Sequence, residues 1–170
     1  WVRLSLITTM YTGNSISENE KKVKYTNVKG QYYIGTKDVG FDHKIDYNNG
    51  VSIPEKYQSD FRNAPANSIL MCIEGGSAGR KIAITNQIVC FGNKLCCFVP
   101  IDGNLKFLYY YLQSPIFFEV FSDSKNGIIG GVSLNKLKEL FVPLPPLAEQ
   151  RRIVARVEEL LEMVEGMERE

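Results

Sequence analysis

The sequence predicts an α+β fold: a globular domain with a mostly antiparallel or mixed β-sheet core and short helices, followed by a long C-terminal helix of coiled-coil type. Three observations predict it. Short apolar runs broken by glycine-rich turns fill the middle of the chain, helically spaced aromatics follow them, and prolines 143, 145 and 146 lead abruptly into a charged segment with heptad spacing. The prolines place the boundary between a domain at 1–145 and a helix at 146–170.

Val2 to Ile7 reads as a strand or a short helix, and residues 15–30, with Lys21, Lys22, Lys24 and Lys29, as an irregular surface segment able to touch phosphates. Tyr32 to Ile34 is short and aromatic, which suits a strand. Ser68 to Ile73 and Lys81 to Thr85 are apolar runs joined by EGGSAGR, a hairpin signal. Residues 88–99 read as a second pair bending at Gly92 and Asn93. Leu105 to Leu112 and Ile116 to Phe121 have helical spacing and are split by Ser114 and Pro115, and Leu134 to Leu140 forms a short helix before the prolines. In the aromatic cluster Phe107, Tyr110, Tyr111, Phe117 and Phe121, separations of three or four residues favour core packing over a base-stacking platform.

At the junction each proline fixes its own φ and pushes its predecessor out of the α region, so the approach is extended. Pro146 suits the first helical position and Glu149 the positive end of the helix dipole. Beyond it Ile153, Val157, Leu160, Val164 and Met167 are spaced 4, 3, 4, 3, an a/d seam flanked by charges. The seam is still running at Glu170, which implies a partner helix elsewhere. A surface helix packed on its own domain is the competing reading.

Composition sets the remaining bounds. A chain of 170 residues that is 44% hydrophobic and 23% charged suits one domain with a real core. No apolar run approaches the roughly 18 residues of a membrane helix, so no membrane association is expected. Cys72, Cys90, Cys96 and Cys97 lack metal-ligand spacing and lie in expected strands; they read as buried free thiols of a cytoplasmic protein, with no metal. The net charge of +1 conceals a gradient: residues 1–100 carry a surplus of four positive charges and residues 147–170 a surplus of three negative ones. The net charge alone argues weakly against a nucleic-acid partner; the gradient suits an anionic partner for the domain and a protein partner for the helix but carries little weight on its own.

Three loops offer chemistry for reading DNA. EGGSAGRK, residues 74–81, combines Gly75 and Gly76, which allow close backbone approach, with Ser77, Arg80 and Lys81, suited to guanine edges or phosphates. Its spacing is not that of a phosphate-binding Walker loop. Residues 124–131 present Lys125 and Asn126 among flexible glycines, and Thr36, Lys37 and Asp38 form a third polar group. Each could equally be a plain solvated turn. The lone His43, between Asp42 and Lys44, reads as a surface residue, and no catalytic constellation emerges.

The run PLPPLAEQRRIVARVEELLE resembles the signature of the specificity subunit of type I restriction and modification systems. In that family a conserved helix opens directly after a target recognition domain, and Pro145, Pro146, Leu147, Glu149, Gln150 and Ile153 match its opening block. Trp1 to Leu4 with a turn at Gly13, YIGTKDV, SILMCIEGGSAGRKIAI and KFLYYYLQS agree more loosely. The resemblance implies noncatalytic, sequence-specific recognition of one half of a split site in double-stranded DNA. It also implies docking to methyltransferase subunits and, indirectly, to a restriction subunit, with no cofactor of its own: S-adenosylmethionine and ATP would be bound by those partners. Family subunits carry two recognition domains, so one domain plus one helix implies a half subunit, natural or cut, that forms a homodimer through the helix; Trp1 in first place favours a fragment or processed chain. Two other readings stay open: the recognition tail of a fused restriction and methylation enzyme, and a noncatalytic coiled-coil assembly protein.

Overall fold

The computed structural model describes residues 1–103, 105–127 and 130–168. Ile128 and Ile129 of the second candidate loop, and Arg169 and Glu170 at the end of the expected helix, lie outside the described residues.

Two four-stranded sheets pack face to face. The first is antiparallel, in the order β2 (Thr8–Thr12), β9 (Leu95–Pro100), β6 (Ile69–Cys72), β7 (Ile82–Ile84). The second is mixed, in the order β4 (Ser52–Ile53), β3 (Gln31–Ile34), β8 (Val89–Phe91), β5 (Asn63–Ala64), with β3 and β8 parallel. A two-residue pair joins β1 (Val2–Arg3) to β10 (Phe141–Val142).

The unbroken burial of β6 and β9 has a simple cause. Side chains alternate between the faces of a strand, and here both faces are covered. Ile69, Met71, Cys96 and Phe98 point to one side, against α4 (Leu105–Tyr111), α5 (Pro115–Asp123) and α6 (Leu134–Glu139), where Leu108, Phe117, Phe121 and Leu137 meet them. Leu70, Cys72, Leu95 and Cys97 point to the other, against Ile34, Val89 and Phe91 of the mixed sheet. Tyr25, Tyr33, Val51, Ile53 and Cys90 close the outer side of that second sheet.

The hairpin β6–β7, the strand at residues 31–34 and the helices around Ser114 lie where the sequence places them. Ser114 caps α5 through its side chain, which accepts from the Phe117 N–H, and Pro115 fills the first turn. Three expectations are corrected. Residues 88–99 do contain two strands bending at Gly92, but β8 and β9 belong to different sheets and do not pair. Residues 15–30 are not irregular throughout: Ser17 caps a helical turn α2 (Glu18–Glu20) that continues as a π-helical turn, Lys21–Tyr25, because Tyr25 buries its ring against Tyr57 and Phe61. Pro146 is the N-cap, with helix α7 running Leu147–Met167, since a ψ of 149° keeps the proline extended.

Helix α7 packs its first half onto the domain. Val154 and Gln150 are buried, the Gln150 amide donates to the Pro145 carbonyl at 2.9 Å, and Glu158 receives Lys106 from α4. The second half turns its apolar residues outward: Leu160 is 45% exposed, Val164 53% and Met167 72%. No helix among the described residues is long and apolar enough to cross a membrane.

All four cysteines are free and buried. Burial pushes the Cys90 thiol up to about 11 from its ordinary 9.0 and the Tyr33 hydroxyl up to about 12 from 10.0. Burial raises Cys72, Cys96, Cys97 and Tyr11 as well. Each group is held in its protonated form more firmly when folded, so its contribution is complete below the unfolded value and is lost as pH rises through the folded one. Thermal stability is therefore expected to be level from pH 7 to near 9 and to fall steeply between about 9 and 12. Melting curves across that range check this; a midpoint still level at pH 11 would contradict it.

Candidate nucleic-acid interface

The three candidate loops are brought together by the backbone of one edge of the molecule. Loop 74–81 connects β6 to β7 as expected. Its Lys81 ammonium donates to the Thr36 carbonyl at 3.0 Å, tying it to the 3-10 turn Thr36–Asp38. Its first residues lie beside the second loop: the Val132 N–H donates to the Ile73 carbonyl at 2.9 Å, and a side chain at Gly131 would meet Glu74. The Ile73 N–H in turn donates to the Lys94 carbonyl at 3.0 Å, which adds the β8–β9 turn. Peptide groups around Ile73 thus assemble three segments distant in sequence, and the Lys81 side chain adds the fourth.

Within loop 74–81 the glycines divide into two kinds. Gly75, with a φ of +84°, and Gly76 face open space, so nothing prevents a surface from approaching their backbone. Gly79, at +78°, is buried where a Cβ would come within 2.8 Å of the Phe121 ring; it seats the loop on α5. Ser77 closes the turn through its carbonyl, which accepts from the Arg80 and Lys81 N–H groups. The Arg80 guanidinium donates back to the Gly76 carbonyl and is exposed.

Cations dominate this edge. Lys21, Lys37 and Lys94 line a cavity of about 230 Å³ together with Tyr33, Thr36 and Asn93. Lys81 reaches its rim through the Thr36 carbonyl, Arg80 lines a neighbouring hollow with His43 and Phe118, and Lys125 lies 5.7 Å from the ring centres of Phe118 and Phe121. Among the described residues, no carboxylate forms an ion pair with Lys37, Arg80, Lys81, Lys94 or Lys125, whereas Lys21 pairs with Glu18 and Lys24 with Glu20. Cations without an ion-pair partner repel one another in the free protein, only partly offset by Glu74 in the same loop, and an anion laid across them relieves that repulsion.

Two candidates sit differently from what a base-reading role asks. Asp38 is buried, and its carboxylate accepts the Gly35 N–H at 2.8 Å, so it builds the 3-10 turn and leaves Thr36 and Lys37 to face outward. The Asn126 side chain is occupied by Lys136, whose ammonium donates to it at 3.0 Å. Thr36, Lys37, Gly75, Gly76, Ser77, Arg80, Lys81 and Lys125 are brought to one edge.

Sequence reasoning missed Lys94 and Phe41. Lys94 lies in an ordinary turn, and the Ile73–Lys94 hydrogen bond and the cavity it shares with Lys37 place it with the others. Phe41 is 59% exposed, with the Arg80 guanidinium 5.5 Å and the Lys81 ammonium 5.1 Å from its ring centre. Nothing around residue 41 in the sequence signals that arrangement.

Along α7 the seam residues Ile153 and Val157 line an apolar cavity of about 490 Å³ with Trp1, Phe107, Tyr110 and Leu144. Leu160, Val164 and Met167 continue the exposed stripe along α7.

Residues 7–169 match the family model described as type I restriction modification DNA specificity domain. No curated protein matches the chain. Three solved structures are similar. One comes from work on complex assembly and conformational transition of the type I R-M system, at 24% identity and a TM-score of 0.75, covering 99% of this chain and 40% of that one. The HsdS subunit from Thermoanaerobacter tengcongensis is 25% identical with a TM-score of 0.76, covering 99% and 38%. The type I restriction-modification S subunit from M. genitalium is 23% identical with a TM-score of 0.65, covering 97% and 39%. The chain therefore spans about two fifths of the length of the structures it matches.

Proposed function

The chain belongs to the type I restriction modification DNA specificity domain family, and from that premise we propose that residues 1–145 read one half of a split target in double-stranded DNA without performing catalysis. The observation that carries this reading is the single edge on which three loops and five cations without carboxylate partners meet. Lys37, Lys94 and Lys125 are positioned to neutralise backbone phosphates. Arg80, Lys81 and Ser77, beside glycines open to close approach, are the groups for base edges in the major groove. S-adenosylmethionine and ATP are left to methyltransferase and restriction subunits, to which this chain docks in the cytoplasm.

The test is titration of the chain with random-sequence duplexes at several salt concentrations. Binding that weakens linearly on a log–log plot supports the reading, since each neutralised phosphate contributes a slope of about −0.9. No binding even at low salt would sink it.

Residues 146–170 supply a spacer and an assembly surface in the same proposal. The 21 residues of α7, at about 1.5 Å each, extend roughly 32 Å, near one duplex turn. Its outward stripe is covered by the same helix of a second copy, with Val157 at the rim of the apolar cavity. Val157→Glu with Leu160→Glu is expected to convert a sedimenting dimer to a monomer while leaving the far-ultraviolet circular dichroism unchanged. An unchanged mass would place the interface elsewhere.

A further inference from the structure

We propose that Phe41 is a base-contacting residue of this interface, making an apolar contact at the major-groove edge of one or two base pairs of duplex DNA. The inference rests on the DNA-recognition reading and adds a specificity-determining residue to it.

A single exposed phenylalanine needs no explanation by itself. Two features set this one apart. The first is rigidity of the turn that carries it. A bridge between Val39 and Ile45 closes the turn, and the Gly40 N–H donates to the Lys44 carbonyl at 2.9 Å. Inside it the Asp42 carboxylate accepts the Lys44 N–H at 3.2 Å, and the His43 ring nitrogen Nδ1 meets the Ile82 carbonyl at 3.1 Å. His43 adopts a φ of +63°, uncommon for a residue with a side chain, and the bond to Ile82 anchors it against β7. The ring of His43 also stands edge-on to Tyr109, with centres 6.4 Å apart. These bonds hold the backbone of the turn, and the Phe41 ring it carries stands 59% exposed.

The second feature is what flanks the ring. Arg80 and Lys81 lie within cation–π range of Phe41, and both belong to the loop with open glycines. The aromatic therefore stands inside the cationic edge. A partner that neutralises those cations must bring its surface against the ring, and the charge selects a polyanion over an apolar protein surface. Duplex DNA offers both chemistries at once: in the major groove, base-edge acceptors for Arg80 and Lys81 and the thymine methyl as an apolar contact for the ring, with phosphates alongside for the other cations. A ring flanked by two cations that reach base edges stands at groove depth.

The experiment is enrichment from a randomised duplex library by the intact chain and by Phe41→Ala, with salt-dependent titration of both. Phe41→Ala is expected to keep the melting temperature and the salt slope, but to flatten base preference at one or two adjacent positions by roughly fivefold or more. Phe41→Leu keeps apolar contact and is expected to retain part of the preference. Replacing thymine by deoxyuridine at the affected position should weaken the parent chain and leave Phe41→Ala unmoved. Unchanged preferences in Phe41→Ala, with DNA binding intact, would overturn this inference while sparing the recognition reading. Absence of DNA binding by the parent chain would instead overturn that reading.

Discussion

Gly13→Ala is expected to cost about 3 kcal/mol or more of folding stability. Gly13 is buried just after β2, where the first sheet passes the end of β8 in the second. A Cβ there would fall 1.9 Å from the Phe91 carbonyl oxygen, 2.5 Å from its carbon and 2.8 Å from the Gly92 oxygen. All three are backbone atoms, so no rotamer change makes room. The same Phe91 oxygen accepts the Asn14 N–H at 2.9 Å, and the Gly92 N–H is engaged with the Ile34 carbonyl, so a shift on either side breaks a sheet contact. At about 2–4 °C per kcal/mol for a chain of this size, the melting temperature should fall by roughly 10 °C. Gly76→Ala, whose new methyl meets open space, is the control and should melt like the parent. A Gly13→Ala protein as stable as the control would mean that the two sheets do not approach as described.

Arg80→Ala combined with Lys81→Ala is expected to reduce affinity for duplex DNA by roughly tenfold to a hundredfold, and to reduce the salt slope by about one for each group that touches a phosphate. A drop in affinity with an unchanged slope would assign the pair to base edges; a loss that is equal for every sequence would assign it to the backbone. Lys81 also holds the Thr36 carbonyl, so its removal loosens the 3-10 turn that presents Lys37. Lys37→Ala with Lys94→Ala separates the contributions, because neither side chain donates a hydrogen bond that supports the loops. If both double variants bind as the parent does, the cationic edge is not the interface.

The parts of this architecture that the sequence disclosed are those with local causes. Ser114 and Pro115 mark a helix start because capping and a fixed φ act within one turn, and the β6–β7 hairpin is announced by its glycines. The prolines located the start of α7 to within a residue. The parallel pairing of β3 with β8 joins residue 33 to residue 90 and left no signature in either strand. For the same reason β8 and β9 looked like a hairpin: a bend at Gly92 is the same signal whether the chain returns in its own sheet or crosses to another. Tyr25 disguised its segment, since the lysines around it read as surface while one ring, buried against two others, decides the local structure. At the candidate interface the loop of glycines with Arg80 and Lys81 was legible from residue types alone. Its neighbours were not, because Lys94 and Phe41 arrive by tertiary contact, and the inward turn of Asp38 depends on one hydrogen bond to Gly35.

The node at Ile73 has a consequence for how such a protein can change its target. The Ile73 peptide groups hold Lys94 on one side and Val132 on the other, and loop 74–81 departs from the same point. The loops are thus struts meeting at a shared joint. Under the recognition proposal, exchanging one of them for a loop of different length is expected to disturb the others, which makes swapping single turns an unfavourable route to a new target. Inheritance of the whole domain, with the joint and the turn at residues 36–41 included, keeps the struts aligned. A repertoire of targets would then spread by transfer of intact domains, with residue changes at loop tips providing only the fine adjustment.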